Sequence, residues 1–310
     1  MATFKLPPFK VQSVFTMFSE ITDWGLILTG VPELWKSTKG KGVKVAVLDT
    51  GATPQHPDLV DAIRDMVDFT DSRTGPLDGN GHSCHCCGII GARANEFGIV
   101  GVAPECELYV AKVLDDDGIG SDISIAKGLA WAVSKKVDII SMSLGCPVTT
   151  PLLDEAVKAA VEASIVVCAA GNEGPSLDTI NYPAKSPGTI SVGAIDKQSQ
   201  VANFSSRGDR VDIVAPGENI LSDWPPNKLA RLSGTSMATP FVSGVIALVM
   251  AMRQMMGVRP LKRDELVRIL CDTATDLGPD KINTSYGHGL INPVKLLEEA
   301  AKISGTKINL

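Results

Sequence analysis

The chain has 310 residues, 44% hydrophobic and 21% charged, with a formal net charge of −6, the balance of a soluble globular protein. Without clustered Lys and Arg it argues against a nucleic-acid surface, and no apolar run reads as a membrane span. Seven cysteines form an odd set with no framework spacing, which suits a reducing compartment; the start, MATFKLPPFK, lacks the apolar core and cleavage site of a secretory signal, so a cytoplasmic protein is expected.

In chain order, Val43–Asp49 is a β-branched run that ends in the turn signal TGA. Leu108–Leu114 is a second strand, and Asp122–Ser134 follows with helical spacing. Val137–Leu144 is a third strand, with a helix over Leu152–Ala163 after it. Ile165–Ala170 ends at Gly171, and Thr189–Ala194 and Val211–Val214 are shorter strands. Ser236–Met256 reads as a long apolar helix, and Lys262–Thr273 and Asn292–Ala301 as two surface helices. Alternating strands and helices predict a mainly parallel sheet covered on both faces, an α/β three-layer sandwich. With no linker, repeat or low-complexity stretch, one folded domain is expected. Ligands of such sheets bind beyond the carboxyl ends of the strands. The Gly-rich turns after Asp49, Leu144 and Ala170 stand there.

Three segments carry chemistry. In VLDTG, Asp49 ends a buried strand, where a carboxylate needs a polar partner; alone it would read as a loop cap. In NGHSCHCCGIIGA, turn residues lead into a helix of small and apolar side chains. His82 stands at its start, and His85 lies one turn on, facing elsewhere. In LSGTSMATPFVSG, Ser236 falls in the first turn of the long helix, near unpaired N–H groups and the positive end of the dipole; alone it would read as an N-cap. Together they supply a nucleophile, a base and a group to orient the base, in the order Asp, His, Ser.

VLDTG, GHSCHCCG, SMSLG, AAGNEG and SGTSMATP follow one another as in the subtilases, and from about Trp24 to about Ala301 the chain resembles that family. The resemblance implies a subtilisin-like fold and a serine endopeptidase acting on protein or peptide substrates. Ser236 would be the nucleophile, His82 the general base and then acid, and Asp49 the group that orients His82. Asn172 would be the side-chain donor to the oxyanion. Ser143, Leu144 and Gly145 would pair with an extended substrate backbone by strand addition.

The chain is more similar still to the intracellular bacterial subtilisins, which carry a short inhibitory N-terminal extension. Leu6-Pro7-Pro8-Phe9 resembles its motif. A proline fixes φ and removes an N–H, so the segment could fill the cleft without offering a well-placed scissile bond. The implied division is an inhibitory extension over 1–22, a catalytic domain over 23–302 and a tail over 303–310, in a zymogen that forms homodimers. Structural calcium is implied as well. Asp58 would give a carboxylate, Asn95 a side-chain oxygen, and Arg93, Phe97 and Ile99 backbone carbonyls, an oxygen-only set that suits a hard cation.

The departures from the family are Ser83 and the thiols Cys84 and Cys87 around His82, Phe241 after SMATP, and Cys146 beside the substrate segment. Ser83 in place of glycine is expected to crowd His82. Cys84 and Cys87 have the spacing of a zinc half-site, but no second pair accompanies them, and buried packing is the better reading. Their closeness to the base predicts sensitivity to oxidants and thiol reagents. Glu173 and Asn181 are expected near the pocket for the residue before the cut bond. Two rival readings are a processing protease for a single partner and a non-catalytic peptide binder disabled by Ser83 and the cysteines.

Overall fold

A computed structural model describes residues 2–15 and 19–303; most of the expected tail, 304–310, and residues 16–18 of the expected extension lie outside the described residues. Along the chain run β1 (Thr3–Lys5), β2 (Lys10–Phe15), α1 (Trp24–Thr29), α2 (Val31–Leu34), β3 (Lys44–Asp49), β4 (Ile63–Asp68), α3 (His82–Gly91), β5 (Glu107–Lys112) and β6 (Ile119–Ser121). Then come α4 (Asp122–Ser134), β7 (Ile139–Met142), α5 (Pro151–Ala163), β8 (Ile165–Ala169), β9 (Ile190–Ile195), β10 (Ile213–Pro216), β11 (Ile220–Trp224), β12 (Lys228–Ser233), α6 (Thr235–Met255), α7 (Arg263–Asp272) and α8 (Pro293–Lys302).

Seven strands form one sheet in the order β10-β9-β8-β7-β3-β5-β4, and every neighbouring pair is parallel. The central strands β3, β7, β8 and β9 are buried along nearly their whole length, as a sheet covered on both faces requires. α4 and α5 pack together over one face; α3 and α6 pack together over the other, with α8 against α6. The expected three-layer α/β sandwich is present.

α6 is long and apolar enough by composition to cross a membrane, contrary to the expectation that no run is, yet 89% of its apolar window is buried within the molecule. It is the core helix. It lies across β7, β8, β9 and β10, and each Val, Leu or Ile it buries is worth about 1.5–3 kcal/mol relative to exposure.

Several elements lie outside the sequence expectation: α1, α2, the β1–β6 pair, β4, and the strands β11, β12 and β2. β4 extends the sheet at one edge, paired among the described residues with β5 alone. β11, β12 and β2 form a separate antiparallel sheet against α3, and β2 belongs to the N-terminal segment.

Candidate active site

β3 delivers Asp49 at its carboxyl end, where Oδ1 accepts from the Thr50 amide at 2.7 Å. His82 opens α3. Its Nδ1 lies 2.9 and 3.0 Å from the two Asp49 oxygens, and neither residue is exposed. The turn into α3 is held by Asp78, whose carboxylate accepts from the amides of Asn80 (3.0 Å), Gly81 (2.8 Å) and Cys84 (2.8 Å) and from Thr50 Oγ1 (2.9 Å). Burial pushes the Asp78 carboxyl above the usual range, and the Gly81 and Cys84 amides oppose that shift. Gly81 caps the helix at φ 103°, and a Cβ there would meet the Trp224 ring at 2.7 Å, so glycine is required twice over.

Ser83 does not displace its neighbour. Its amide donates to Thr50 Oγ1 at 3.1 Å, and the His82–Asp49 contact stands; its hydroxyl finds no partner among the described residues. His85 faces away, as expected, with Nε2 3.1 Å from the carbonyls of Ile220 and Ala230. Burial, and then His82, lower its pKa to about 3, so it is neutral.

Ser236 sits in the first turn of α6. Four residues on, Pro240 lacks the N–H that would bond the Ser236 carbonyl. That carbonyl instead accepts from Ser143 Oγ at 2.9 Å and Cys86 Sγ at 3.5 Å. The proline thus ties the nucleophile's backbone to the SMSLG segment and to the helix of the base. Asn172, after β8, has its side-chain oxygen fixed by the Thr235 amide and hydroxyl, both at 2.9 Å, leaving its Nδ2 to point into the site. Gly234 keeps room for it, since a Cβ there would stand 3.1 Å from Nδ2.

The N-terminal segment lies along this site. β1 pairs antiparallel with β6, and Lys5 pairs with Gly145, its amide 3.4 Å from the Gly145 carbonyl and its carbonyl 3.2 Å from the Gly145 amide. Leu6 N donates to Gly118 O at 3.0 Å. β1 is therefore a strand inserted between 118–121 and 143–145, with Ala2, Phe4 and Leu6 buried. Continuing that register sets Pro7 opposite Ser143. Pro7 has no N–H to give, and the Ser143 carbonyl lies 3.4 Å from Ser236 Oγ instead. The Pro8 carbonyl accepts from Asn172 Nδ2 at 2.9 Å. Phe9 lies 5.0 Å from the His82 imidazole, whose Nε2 has no partner among the described residues. Beyond it, β2 adds to the edge of β12.

Asn181 lies between the flanking turns: a Cβ on Gly145 would meet its Cβ at 2.9 Å, and one on Gly171 its Nδ2 at 2.9 Å. Its Nδ2 donates to Glu173 Oε2 at 3.0 Å, as does Ser206 Oγ at 3.0 Å. Leu144 is fully buried. The three cysteines of α3 are free and buried, and burial raises their thiols well above the usual range, so thiolate chemistry is suppressed. That weakens the expected sensitivity to thiol reagents. The Cys84/Cys87 pair builds no metal cluster among the described residues; Cys86 alone stands with Asp49 and His82.

Around Asp58, also fully buried, the loop 93–99 closes. Asn95 Nδ2 donates to Asp58 Oδ1 and the Ile99 amide to Oδ2, both at 3.0 Å. Glu20, which no sequence motif singles out, accepts from the amides of Asn95 (3.0 Å) and Glu96 (3.3 Å).

A strand-end carboxylate on a helix-borne imidazole, with a serine at the head of a second helix, is the constellation of a serine endopeptidase of the subtilisin type. The Subtilase family profile matches residues 40–289, and the chain belongs to that family. It is 44% identical over 308 residues to an "Intracellular serine protease" of Paenibacillus polymyxa, covering 97% of this chain and 93% of that one. It is 41% identical over 309 residues to the "Major intracellular serine protease" of Bacillus subtilis (strain 168), covering 96% of each. A "Subtilisin" of Bacillus pumilus is 44% identical over 257 residues, covering 82% of this chain and 90% of its own.

Proposed function

We propose that the endopeptidase acts through Ser236, His82, Asp49 and Asn172, and that the chain is a zymogen blocked by its N-terminal extension, expected over 1–22, whose residues Lys5 to Phe9 lie along the site. The observation that carries the reading is that the N-terminal segment touches the parts of the site in turn: Lys5 pairs with Gly145, the Pro8 carbonyl accepts from Asn172, and Phe9 lies against His82, which is held by Asp49. With a substrate bound, the residue opposite Ser143 supplies the N–H that Pro7 lacks and competes for the Ser143 carbonyl. Ser236 Oγ is then free to turn to His82 Nε2, which takes its proton as Oγ attacks the scissile carbonyl. Asp49 accepts from Nδ1–H, fixes the tautomer and stabilises the imidazolium. The oxyanion receives Asn172 Nδ2–H and the Ser236 amide, which has no intrahelical acceptor in the first turn. The imidazolium protonates the departing amine, leaving an ester on Ser236. Water, deprotonated by His82, hydrolyses it.

Gly145 and Gly118 bind substrate backbone as they bind Lys5 and Leu6, with Ser143 and Leu144 shaping the same strand. The bound segment is unproductive because two prolines in succession deny the Ser143 bond and place the carbonyl of the residue after Pro7 at Asn172. Cytoplasmic action fits this reading, since two similar proteins are named as intracellular.

Calcium is proposed at Asp58 and the loop 93–99. The residues fit: a buried carboxylate faces a loop in which the carbonyls of Arg93, Phe97 and Ile99 accept no hydrogen bond from the described residues. A turn of the Asn95 amide presents its oxygen in place of Nδ2. The ion would brace the loop and supply no chemistry.

The test compares the full chain with one lacking residues 1–19, which keeps Glu20 and Ile21, on casein and on a fluorophosphonate probe. The reading expects faster cleavage and labelling in the shortened chain, both lost in Ser236→Ala. Equal rates in the two forms would overturn the inhibitory role; labelling that survives in Ser236→Ala would overturn the nucleophile.

A further inference from the structure

Behind the catalytic helix lies a second polar cluster that the proteolytic chemistry does not use. Asp223, in β11, is fully buried, and neither of its carboxylate oxygens has a hydrogen-bond partner among the described residues. A carboxylate in that position is costly without a proton or a cation. It reaches this depth because α3 carries glycine where they meet: a Cβ on Gly88 would lie 2.7 Å from Asp223 Oδ2. Facing it are His56, with Nδ1 3.7 Å from Asp223 Oδ1, and the carboxylate of Asp58. One ligand atom from each of the three falls within 4.8 Å of the others.

The imidazole is set up as a ligand. His56 Nε2 lies 3.1 Å from the Lys228 carbonyl, an acceptor only, so Nε2 carries the hydrogen and Nδ1 the lone pair. That lone pair receives only the long 3.3 Å approach of the Asp58 amide. A ring nitrogen held by a backbone carbonyl while the other faces carboxylates is the usual outer bracing of a metal-bound histidine. No lysine or arginine pairs with Asp223 or His56 among the described residues.

We propose that His56 Nδ1 and the carboxylates of Asp58 and Asp223 form a buried seat for one divalent transition ion of the zinc class. Nitrogen ligation selects such an ion over calcium, which takes oxygen. A zinc ion with ligands at about 2.1 Å spaces them roughly 3.4 Å apart, so the cluster closes by small rotations of His56 and Asp223 toward Asp58. The ion would clamp β11 to the His56–Asp58 turn behind α3, a structural role. Asp58 is common to this seat and to the proposed calcium loop; Asp223 and His56 belong to this seat alone, and Asn95 to the calcium loop alone.

The experiment uses the full chain carrying Ser236→Ala, so that it cannot digest itself, stripped with chelator. Zinc alone, calcium alone, and cobalt as a spectroscopic probe are then added. The expected result is one saturable zinc equivalent with a raised Tm. Asp223→Asn and His56→Gln should each weaken zinc by more than the roughly 10–100-fold that changes to outer partners cost, while the calcium response persists in both. Asn95→Ala should show the reverse. Cobalt bound without a thiolate charge-transfer band is expected; such a band would move the site to Cys86 and overturn the proposal. Unchanged zinc affinity in both Asp223→Asn and His56→Gln would overturn it. So would a parent that binds no zinc, leaving Asp223 a buried, protonated acid. Should Asp223→Asn fail to fold, His56→Gln decides alone.

Discussion

The side-chain nitrogen of Asn172 donates to the carbonyl oxygen of Pro8 at 2.9 Å. The register set by Lys5 with Gly145 and Leu6 with Gly118 would bring the Pro7 carbonyl to that donor in an unbroken strand. The double proline therefore shifts the carbonyl by one residue. Replacing both by alanine restores the N–H opposite Ser143 and frees φ. Pro7→Ala/Pro8→Ala is expected to cut its own extension near residue 7 and to reach full casein activity sooner, followed by mass spectrometry of the released peptide. A double variant that stays intact and inactive would count against the prolines as the cause.

Asn172 is held by Thr235, so the two make graded predictions. Asn172→Leu is expected to lower kcat by roughly 10²–10³, the cost known for removing the corresponding donor of subtilisin itself. Thr235→Val keeps shape and loses one hydrogen bond to Asn172 Oδ1, a loss of about 1 kcal/mol. Its kcat should fall by roughly 3–10-fold with KM little changed. A KM effect in place of a kcat effect would mean that Thr235 shapes binding rather than the oxyanion donor.

His85 gives a pH prediction. Its folded pKa is lowered to about 3, chiefly by burial, whereas an unfolded histidine titrates near 6.5. Between those values the unfolded chain takes up a proton that the folded chain refuses, so stability rises with pH across about 3 to 6.5. The contribution is present above the unfolded value and is lost as pH falls toward 3. Denaturation of Ser236→Ala followed against pH should show this slope. Adding His85→Gln should remove up to one proton, about 1.4 kcal/mol per pH unit, from it.

Calcium removal is expected to lower Tm and to open the loop 93–99 to proteolysis, while the kcat of the surviving protein at low temperature stays the same. Asp58→Asn should behave like the chelated parent, measured by calorimetry and by the sites of nicking. Equal Tm with and without calcium would remove the ion from Asp58.

The parallel sheet was legible because β3, β7 and β8 are continuous apolar runs, and α4 and α5 have clear periodicity. Asp49, His82, Ser236, Asn172 and Gly145 stood out in local motifs, and the elements that carry them meet beyond the carboxyl ends of the central strands. β4 was not legible: exposure alternates along this edge strand but polarity does not, since Asp65 stands on its half-buried side and Met66 on its exposed side. β12 was hidden for a different reason: β11 is its neighbour in the chain, but its other partner, β2, lies more than 200 residues away. Thr235 and Pro240 were in plain view inside SGTSMATP, yet their use depends on what faces them: Asn172 for one, Ser143 and Cys86 for the other. The expected crowding by Ser83 is not seen: its amide binds Thr50 and the His82–Asp49 contact is intact beside it.

The inserted strand has a kinetic meaning under the zymogen reading. While it is joined to the enzyme, β1 competes for the cleft at an effective local concentration on the order of millimolar, whatever the amount of protein in the cell. One cut downstream turns it into a free peptide at the concentration of the enzyme itself. The same contacts then compete with every substrate present and lose by dilution, so activation is a one-way step although no contact in the cleft need change.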